Sequence, residues 1–409
     1  METLAASRPG AVMKLEDKLS KRTQRISVSA TLNVLSEAEK LKARGIEIFD
    51  FGPGEPDFPT PENVKEAGLR SIRTNFTKYT ATSGIMPLRE AMARRHARDF
   101  GSQYTAQETI VSVGGKQALF NAIASLVDHG DEVILPTPFW VTFQDLVTFF
   151  GGTPVFVPAT EENDFCLKAA DIERAITPKT KLIIINSPNN PSGGVVDDQE
   201  FRKIARVVID RDLFLLSDEA YSHFLYEGRK PFSIASVGEE LKSRLVIIGT
   251  LSKTYAMTGW RLGYGLAPTV LIQQMLKIQS HSTSNAASIS QQAALEALNG
   301  PQDSVTRMLG EYTRRREYVL NFLKTIPGLH CARPLGAFYV YPNISAFYGR
   351  KGIQNSMDFA KALLDQARIA VVPGEAFGTR EHIRISYATS METLERGLAV
   401  FKKFIADLG

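Results

Sequence analysis

Lys253 sits where a short β-branched run, Arg244-Leu-Val-Ile-Ile-Gly249, gives way to a small polar turn, Thr250-Leu-Ser-Lys253. A run of that kind, bounded by Gly and Thr/Ser, reads as an inner strand of a sheet covered on both faces. A lysine delivered at such a strand end is ready for desolvation. Burial disfavours the ammonium, lowers the pKa and leaves an amine able to attack a carbonyl. Hydroxyls at Thr250 and Ser252 and a guanidinium at Arg261, eight residues beyond the lysine, add anion-binding groups. Together they suit an aldehyde that also carries a phosphate. On this stretch alone a solvated lysine remains the commoner outcome.

Four other turns follow strand-like runs, the place where open α/β sheets bind ligands. Gly114-Gly-Lys-Gln117 opens a helix whose free N–H groups suit a phosphate, although it lacks the earlier glycine of a nucleotide-binding P-loop and equally serves as a plain helix start. Pro136-Thr-Pro-Phe-Trp140 offers an aromatic face for a flat ring, or a core residue. Asn186-Ser-Pro-Asn-Asn-Pro-Ser-Gly-Gly194 is a dense turn that also presents amide donors. In Ser217-Asp-Glu-Ala-Tyr221 the acidic pair is either a helix cap or, if Asp218 is buried, a partner for a cationic ring nitrogen.

The elements that must position these turns alternate along the middle of the chain. Strands are expected at 109–113, 132–135, 154–157, 181–186, 213–217 and 245–249, and helices at 116–127, 140–149, 169–176 and 200–209. That alternation predicts an α/β fold with a mainly parallel sheet sandwiched by helices. The tail reads as a smaller α+β unit: strands at 337–341, 369–372 and 383–386, helices at 357–366 and 391–406, and a bridging helix over 303–323. A helix at 30–43 and a strand at 46–51 fit on either unit. The expected division is an N-terminal arm with part of the small domain (1–60), a large domain (61–302) and a small C-terminal domain (303–409).

Composition limits the function classes. With 409 residues two domains are expected. A net charge of +4, without a lysine/arginine block, argues against a nucleic-acid partner. No apolar run reaches membrane-spanning length, and the first ten residues lack the apolar core of a secretion signal. Met13 is a second candidate start. Two cysteines, Cys166 and Cys331, and six scattered histidines form neither a disulfide framework nor a metal motif. A cytoplasmic protein with no metal is the expectation.

The turns together resemble the class I aminotransferases of the fold-type-I pyridoxal-phosphate superfamily, over residues 26–408. The resemblance rests on Gly54-Glu-Pro-Asp-Phe58, Lys78-Tyr79, Gly114–Ala118, Asn186–Gly193, Ser217-Asp-Glu219 with Tyr221, Ser252–Gly263 and Arg384-Ile-Ser-Tyr-Ala-Thr-Ser390, in family order. It is strongest to the bacterial-type (Ib) aspartate aminotransferases. The resemblance implies pyridoxal 5′-phosphate bound covalently by Lys253, which also shuttles the proton at the substrate α-carbon. Asp218 is implied as partner of the ring nitrogen, Tyr221 and Asn190 as donors to the ring's phenolic oxygen, and Trp140 as the stacked aromatic. Gly115, Lys116, Thr250, Ser252 and Arg261 fall at or beside the phosphate positions, with the choice between Thr250 and Ser252 open. Tyr79 matches a phosphate ligand that crosses from the second subunit of a homodimer. Arg384 matches the clamp on the substrate α-carboxylate, beside the Gly54 backbone.

The distal substrate group is less defined. The segment Gln279–Asn285 carries no arginine, so the resemblance leaves Lys116 to hold a side-chain carboxylate, as a flexible point charge. The implied reaction is transamination of L-aspartate with 2-oxoglutarate. Prephenate, aromatic amino acids or alanine as substrates, a C–S lyase or decarboxylase on the same fold, and a non-catalytic regulator built on the scaffold are the alternatives. A serine acyl-enzyme is excluded, because Thr250 occupies the serine position of S-x-x-K.

Overall fold

A computed structural model describes residues 18–26 and 30–409; Met13 and the first ten residues lie outside them. The strands are β1 (Phe49–Asp50), β2 (Thr109–Val113), β3 (Glu132–Thr137), β4 (Thr153–Pro158), β5 (Thr180–Asn186), β6 (Phe214–Asp218), β7 (Leu245–Thr250), β8 (Leu262–Leu266), β9 (Tyr339–Val340), β10 (Ile369–Ala370), β11 (Val372–Pro373) and β12 (Ile383–Ser386). Seven of them form one sheet in the order β2-β8-β7-β6-β5-β3-β4. The pairs among β7, β6, β5, β3 and β4 are parallel, and β8 runs antiparallel to both β2 and β7.

The apolar runs of β5, β6 and β7 are buried on both faces because the side-chain period of two divides them. Leu182, Ile184, Leu216, Val246 and Ile248 pack with the helices Gly115–Leu126 and Thr269–Ser280. Ile183, Ile185, Leu215, Leu245 and Ile247 pack with Phe201, Ile204 and Val208 of the helix Asp198–Asp210. Each fully buried side chain of this kind contributes about 1.5–3 kcal/mol. That reserve lets the strand ends carry polar and charged groups that cost stability.

A three-stranded antiparallel sheet, β11-β12-β9, and the parallel pair β1-β10 make the second layer, with the helices Asp303–Leu323, Ser356–Ala367 and Met391–Asp407. Its core is aromatic, with Tyr312, Phe338, Phe359, Tyr387 and Phe401 packed with Phe51 from the N-terminal segment. The helix Ala30–Ala43 packs on β10 and β11, so the N-terminal elements join this part of the molecule.

Several elements differ from the sequence expectation. The strand expected over 337–341 shortens to Tyr339–Val340, and the helices Glu62–Arg73, Met86–Phe100, Thr269–Ser280 and Ser288–Asn299 were not expected. β8 was not expected, since Leu262-Gly-Tyr-Gly-Leu266 carries two glycines; yet a Cβ on Gly263 would lie 2.2 Å from Gly115 N, so the glycine is what lets β8 lie against the Gly114–Gly115 turn. The strand expected over 46–51 shortens to Phe49–Asp50; Phe51 N still donates to Ala370 O, but Phe51 O accepts from Ser386 N, so the chain passes from β10 to β12 there. The strand expected over 369–372 is two pieces in two sheets, switching at Val371. The helix expected from Trp140 starts at Thr142, which leaves Trp140 in the preceding turn.

Candidate active site

A cleft of about 250 Å³ opens at the carboxyl ends of β5, β6 and β7 and is bounded on its other side by Gly52, Gly54, Tyr339 and Arg384. Gly54, Gly115, Lys116, Trp140, Asn190, Asp218, Tyr221, Thr250, Ser252, Lys253, Arg261 and Arg384 all line it. Tyr79 does not; it is 94% exposed on this chain.

Lys253 lies in the four-residue helix Leu251–Thr254 that leaves β7, with Thr250 as its cap. Its Nζ donates to Gly54 O, across the cleft. Burial is the main cause that brings its pKa down to about 8, with Arg384 and Arg261 pushing the same way and Glu55 opposing. Asp218 ends β6 and is shielded from water. Burial pushes its carboxyl up to about 7; Glu219 adds to this, while the Ala220 N–H at 3.1 Å and Lys253 offset part of it. One strand end thus presents an amine that sheds its proton easily, and the next an acid that ionises reluctantly without a cation. This is the pattern of pKa values displaced by function.

The anion side is built from backbone. Gly114 has φ +77° and a Cβ there would lie 2.5 Å from Arg261 Nη2, so only glycine lets the turn sit against the guanidinium. Arg261 is itself left-handed, φ +54°, and its Nη1 is held by Thr258 O at 2.9 Å. Thr250 Oγ1 lies 2.9 Å from Ser252 Oγ and 3.3 Å from Leu262 O, and accepts from Ser252 N at 3.2 Å. Its one proton reaches only one of the two oxygens, so either hydroxyl of the pair can donate outward.

The carboxylate side centres on Arg384 of β12, 3% exposed. Nη1 donates to Asn190 Oδ1 at 2.8 Å and Nη2 to Gly52 O at 2.6 Å, while Nε is buried with no partner. A buried guanidinium without a carboxylate partner is costly and fits an anionic ligand. Asn190 is positioned by Asn186, whose Oδ1 takes the Asn190 N–H at 2.8 Å and whose amide donates to Asp218 O at 3.1 Å. Lys116 Nζ lies 4.8 Å from the Trp140 ring centroid. Its pKa is lowered, by burial first and Arg261 second.

Two polar lining side chains escaped the sequence reading. Asn186 was quoted only as the start of its turn. Tyr339, whose hydroxyl is 2.8 Å from that of Tyr221, lay inside an aromatic strand and carried no signal beyond core packing. Among the described residues no group of three His, Cys, Asp or Glu is placed to hold a metal, and no helix is long and apolar enough to cross a membrane.

The chain matches a known family and, among others, three known proteins. A family model described as aminotransferase class I and II matches residues 46–401. The chain is 40% identical over 391 residues to an aspartate aminotransferase of Bacillus sp. (strain YM-2), covering 96% of this chain and 100% of that one. It is 43% identical to a probable aspartate/prephenate aminotransferase of Rickettsia conorii, covering 95% and 98%. The fold matches the aspartate aminotransferase of Thermus thermophilus, solved with maleate, at a TM-score of 0.90 and 41% identity over 94% of this chain and 99% of that one.

Proposed function

The chain belongs to the class I and II aminotransferases, and on that premise we propose that it transfers the amino group of L-aspartate to 2-oxoglutarate by a ping-pong reaction with pyridoxal 5′-phosphate. The observation that carries the reading is the convergence of Lys253, Asp218 and Arg384 on one cleft.

The cleft fits that cofactor. Asp218 is a buried carboxyl with no cation bonded to it among the described residues, which a protonated ring nitrogen would supply. The Gly114–Gly115 turn, against Arg261, leaves no room for a side chain where a phosphate needs close approach. Lys253 would hold the aldehyde carbon, Asp218 the ring nitrogen, Tyr221 and Asn190 the phenolic oxygen, Trp140 the ring face, and Gly115, Ser252, Thr250 and Arg261 the phosphate. Thr250 and Ser252 share a hydrogen bond, and either hydroxyl can donate to the phosphate. When bound, the cofactor supplies a carbonyl that accepts the amino group and a ring that withdraws electrons from the substrate α-carbon.

The chain's own residues do the rest. Arg384 binds the α-carboxylate through the donors it now divides between Asn190, Gly52 and an empty-handed Nε. Lys253 Nζ, with a pKa near 8, takes a proton from the substrate α-carbon and returns it on the other side of the reaction. Asp218, ionised by its cationic partner, keeps that partner protonated. Lys116 meets the distal carboxylate of aspartate or 2-oxoglutarate, its ammonium costly to hold unpaired in the cleft. The Thermus relative solved with maleate, a four-carbon dicarboxylate, supports a site of this length.

Tyr79 belongs to a second part of the proposal. Leu69, Ile72, Tyr79 and Met86 are large, exposed and close in sequence, which supports a face covered by a second copy. In that homodimer Tyr79 reaches the partner's phosphate. The pairing of β1 with β10 supports grouping residues 1–60 with 303–409 around a large domain of 61–302. We place the enzyme in the cytoplasm.

Product analysis tests the reaction type. Aspartate plus 2-oxoglutarate should give glutamate and oxaloacetate in equal amounts; ammonia or, from cysteine, sulfide without glutamate would establish a lyase instead. The Rickettsia relative's name favours prephenate as a second amino acceptor, and the flexible Lys116 accommodates it.

A further inference from the structure

We propose that Tyr339 is a positioning residue that ties the carboxylate clamp, Arg384, to the hydroxyl of Tyr221, so that one side chain braces both halves of the cleft. The inference rests on the functional reading above and deepens it.

Tyr339 opens β9, is fully buried, and touches the site in three ways. Its Oη lies 2.8 Å from Tyr221 Oη. Its ring centroid lies 4.5 Å from the Arg384 guanidinium carbon, with the Phe377 ring 5.2 Å from the same carbon. A Cβ on Gly54 would lie 2.7 Å from Tyr339 Oη, so the glycine is needed to admit the hydroxyl beside the cleft wall that Lys253 contacts.

Proton counting gives the hydroxyl pair a direction. Each phenol has one proton. If Tyr221 donates to the phenolic oxygen of the cofactor, its own oxygen can only accept from its neighbour, and Tyr339 must be the donor. A hydroxyl that accepts a hydrogen bond donates more strongly in turn. Tyr339 thereby strengthens the donation that Tyr221 makes. Burial above all holds Tyr221 well above the ordinary phenol range, so it keeps its proton, and with it the capacity to donate, at every working pH.

The ring does a separate job. Arg384 Nε makes no hydrogen bond and its two Nη atoms divide between Asn190 and Gly52, so hydrogen bonding alone leaves the plane free to tilt. The Tyr339 face, in cation–π contact, fixes that plane. The two functions are separable: the hydroxyl acts on Tyr221 and the ring on Arg384.

The test uses holoenzyme with Tyr339→Phe and Tyr339→Leu, with Tyr339→Met replacing the latter should it lose a cooperative melt. Two readouts need no turnover: the pH midpoint of the visible band of the lysine-bound cofactor, and the calorimetric Kd of succinate, an unreactive dicarboxylate. A donor to the phenolic oxygen favours the deprotonated chromophore, where charge on that oxygen is unshared, so a weaker donor raises the midpoint. Tyr339→Phe should raise it by about half a pH unit or more, while succinate binding stays within about threefold. Removing the ring as well should keep that rise and weaken succinate about thirtyfold, the size of a desolvated cation–π contact. A Tyr339→Phe midpoint equal to wild type overturns the hydroxyl link. Succinate binding in the ring-less variant equal to that in Tyr339→Phe overturns the clamp role. A wild-type protein that forms no lysine-bound chromophore would instead defeat the aminotransferase reading, before any variant is compared.

Discussion

Replacing Asp218 by asparagine is expected to make the cofactor-free protein more stable and the enzyme inert. Burial raises the Asp218 carboxyl from 3.8 to about 7, with Glu219 adding to the effect. Because the folded-state pKa lies above the unfolded one, the unfolded chain gives up this proton first, and folding loses stability as pH rises through that window. Below about pH 4 both states are protonated and the group costs nothing. The cost grows with pH to about 4 kcal/mol above pH 7, at about 1.4 kcal/mol per pH unit of separation, and is about 2 kcal/mol at pH 5. Asparagine keeps the shape and can still accept the Ala220 N–H, now 3.1 Å from Asp218 Oδ1, but has no proton to lose. Equilibrium urea unfolding of cofactor-free protein, wild type against Asp218→Asn, should show a gap at pH 8 that shrinks towards pH 5. The holoenzyme variant should lose turnover by roughly 10³ or more, since each factor of ten is about 1.4 kcal/mol of barrier. The reasoning fails if Asp218→Asn is no more stable than wild type at pH 8, or if the gap is independent of pH. A stabilised, active variant would leave the carboxyl without a catalytic purpose.

Lys116→Ala should lower kcat/KM for aspartate and glutamate at least about tenfold more than for alanine or phenylalanine, because only a second carboxylate is left unpaired, at about 1–3 kcal/mol; equal losses on all four would remove the distal role. Gly114→Ala should weaken pyridoxal 5′-phosphate binding by at least about tenfold, since its methyl would lie 2.5 Å from Arg261 Nη2 and displace that guanidinium from the phosphate side of the cleft. Gly130→Ala is the control, with φ +94° and nothing within 4 Å of the new Cβ: it should cost stability and leave the cofactor Kd unchanged.

Much of the large sheet was legible because its strands obey one rule: fully buried parallel strands are continuous apolar runs, and the turns after them are polar. Leu182–Ile185 and Leu245–Ile248 show that signal, and the residues that follow them line the cleft. β8 was illegible because its glycines answer to a neighbour distant in sequence, the Gly114–Gly115 turn. The break at Val371 between β10 and β11 is likewise a matter of which sheet takes each half, which periodicity does not encode. At the site, Lys253 and Asp218 carried charge at strand ends and stood out, whereas Arg384, inside β12, was reached through the resemblance. Tyr339 did not, since an aromatic in an aromatic strand gives no sign that its hydroxyl meets Tyr221, 118 residues away. Tyr79 was implied by the resemblance alone; on one chain it faces outward, and its assignment depends on the second copy.

The central claim, that Lys253 is the amine the cleft was built to activate, is tested most directly by mapping the covalent link. Holoenzyme reduced with borohydride and digested should yield one cofactor-bearing peptide, modified at Lys253, and the Lys253→Ala protein should yield none. A reduced link at Lys116 or any other lysine, at equal stoichiometry in the variant, would contradict the account.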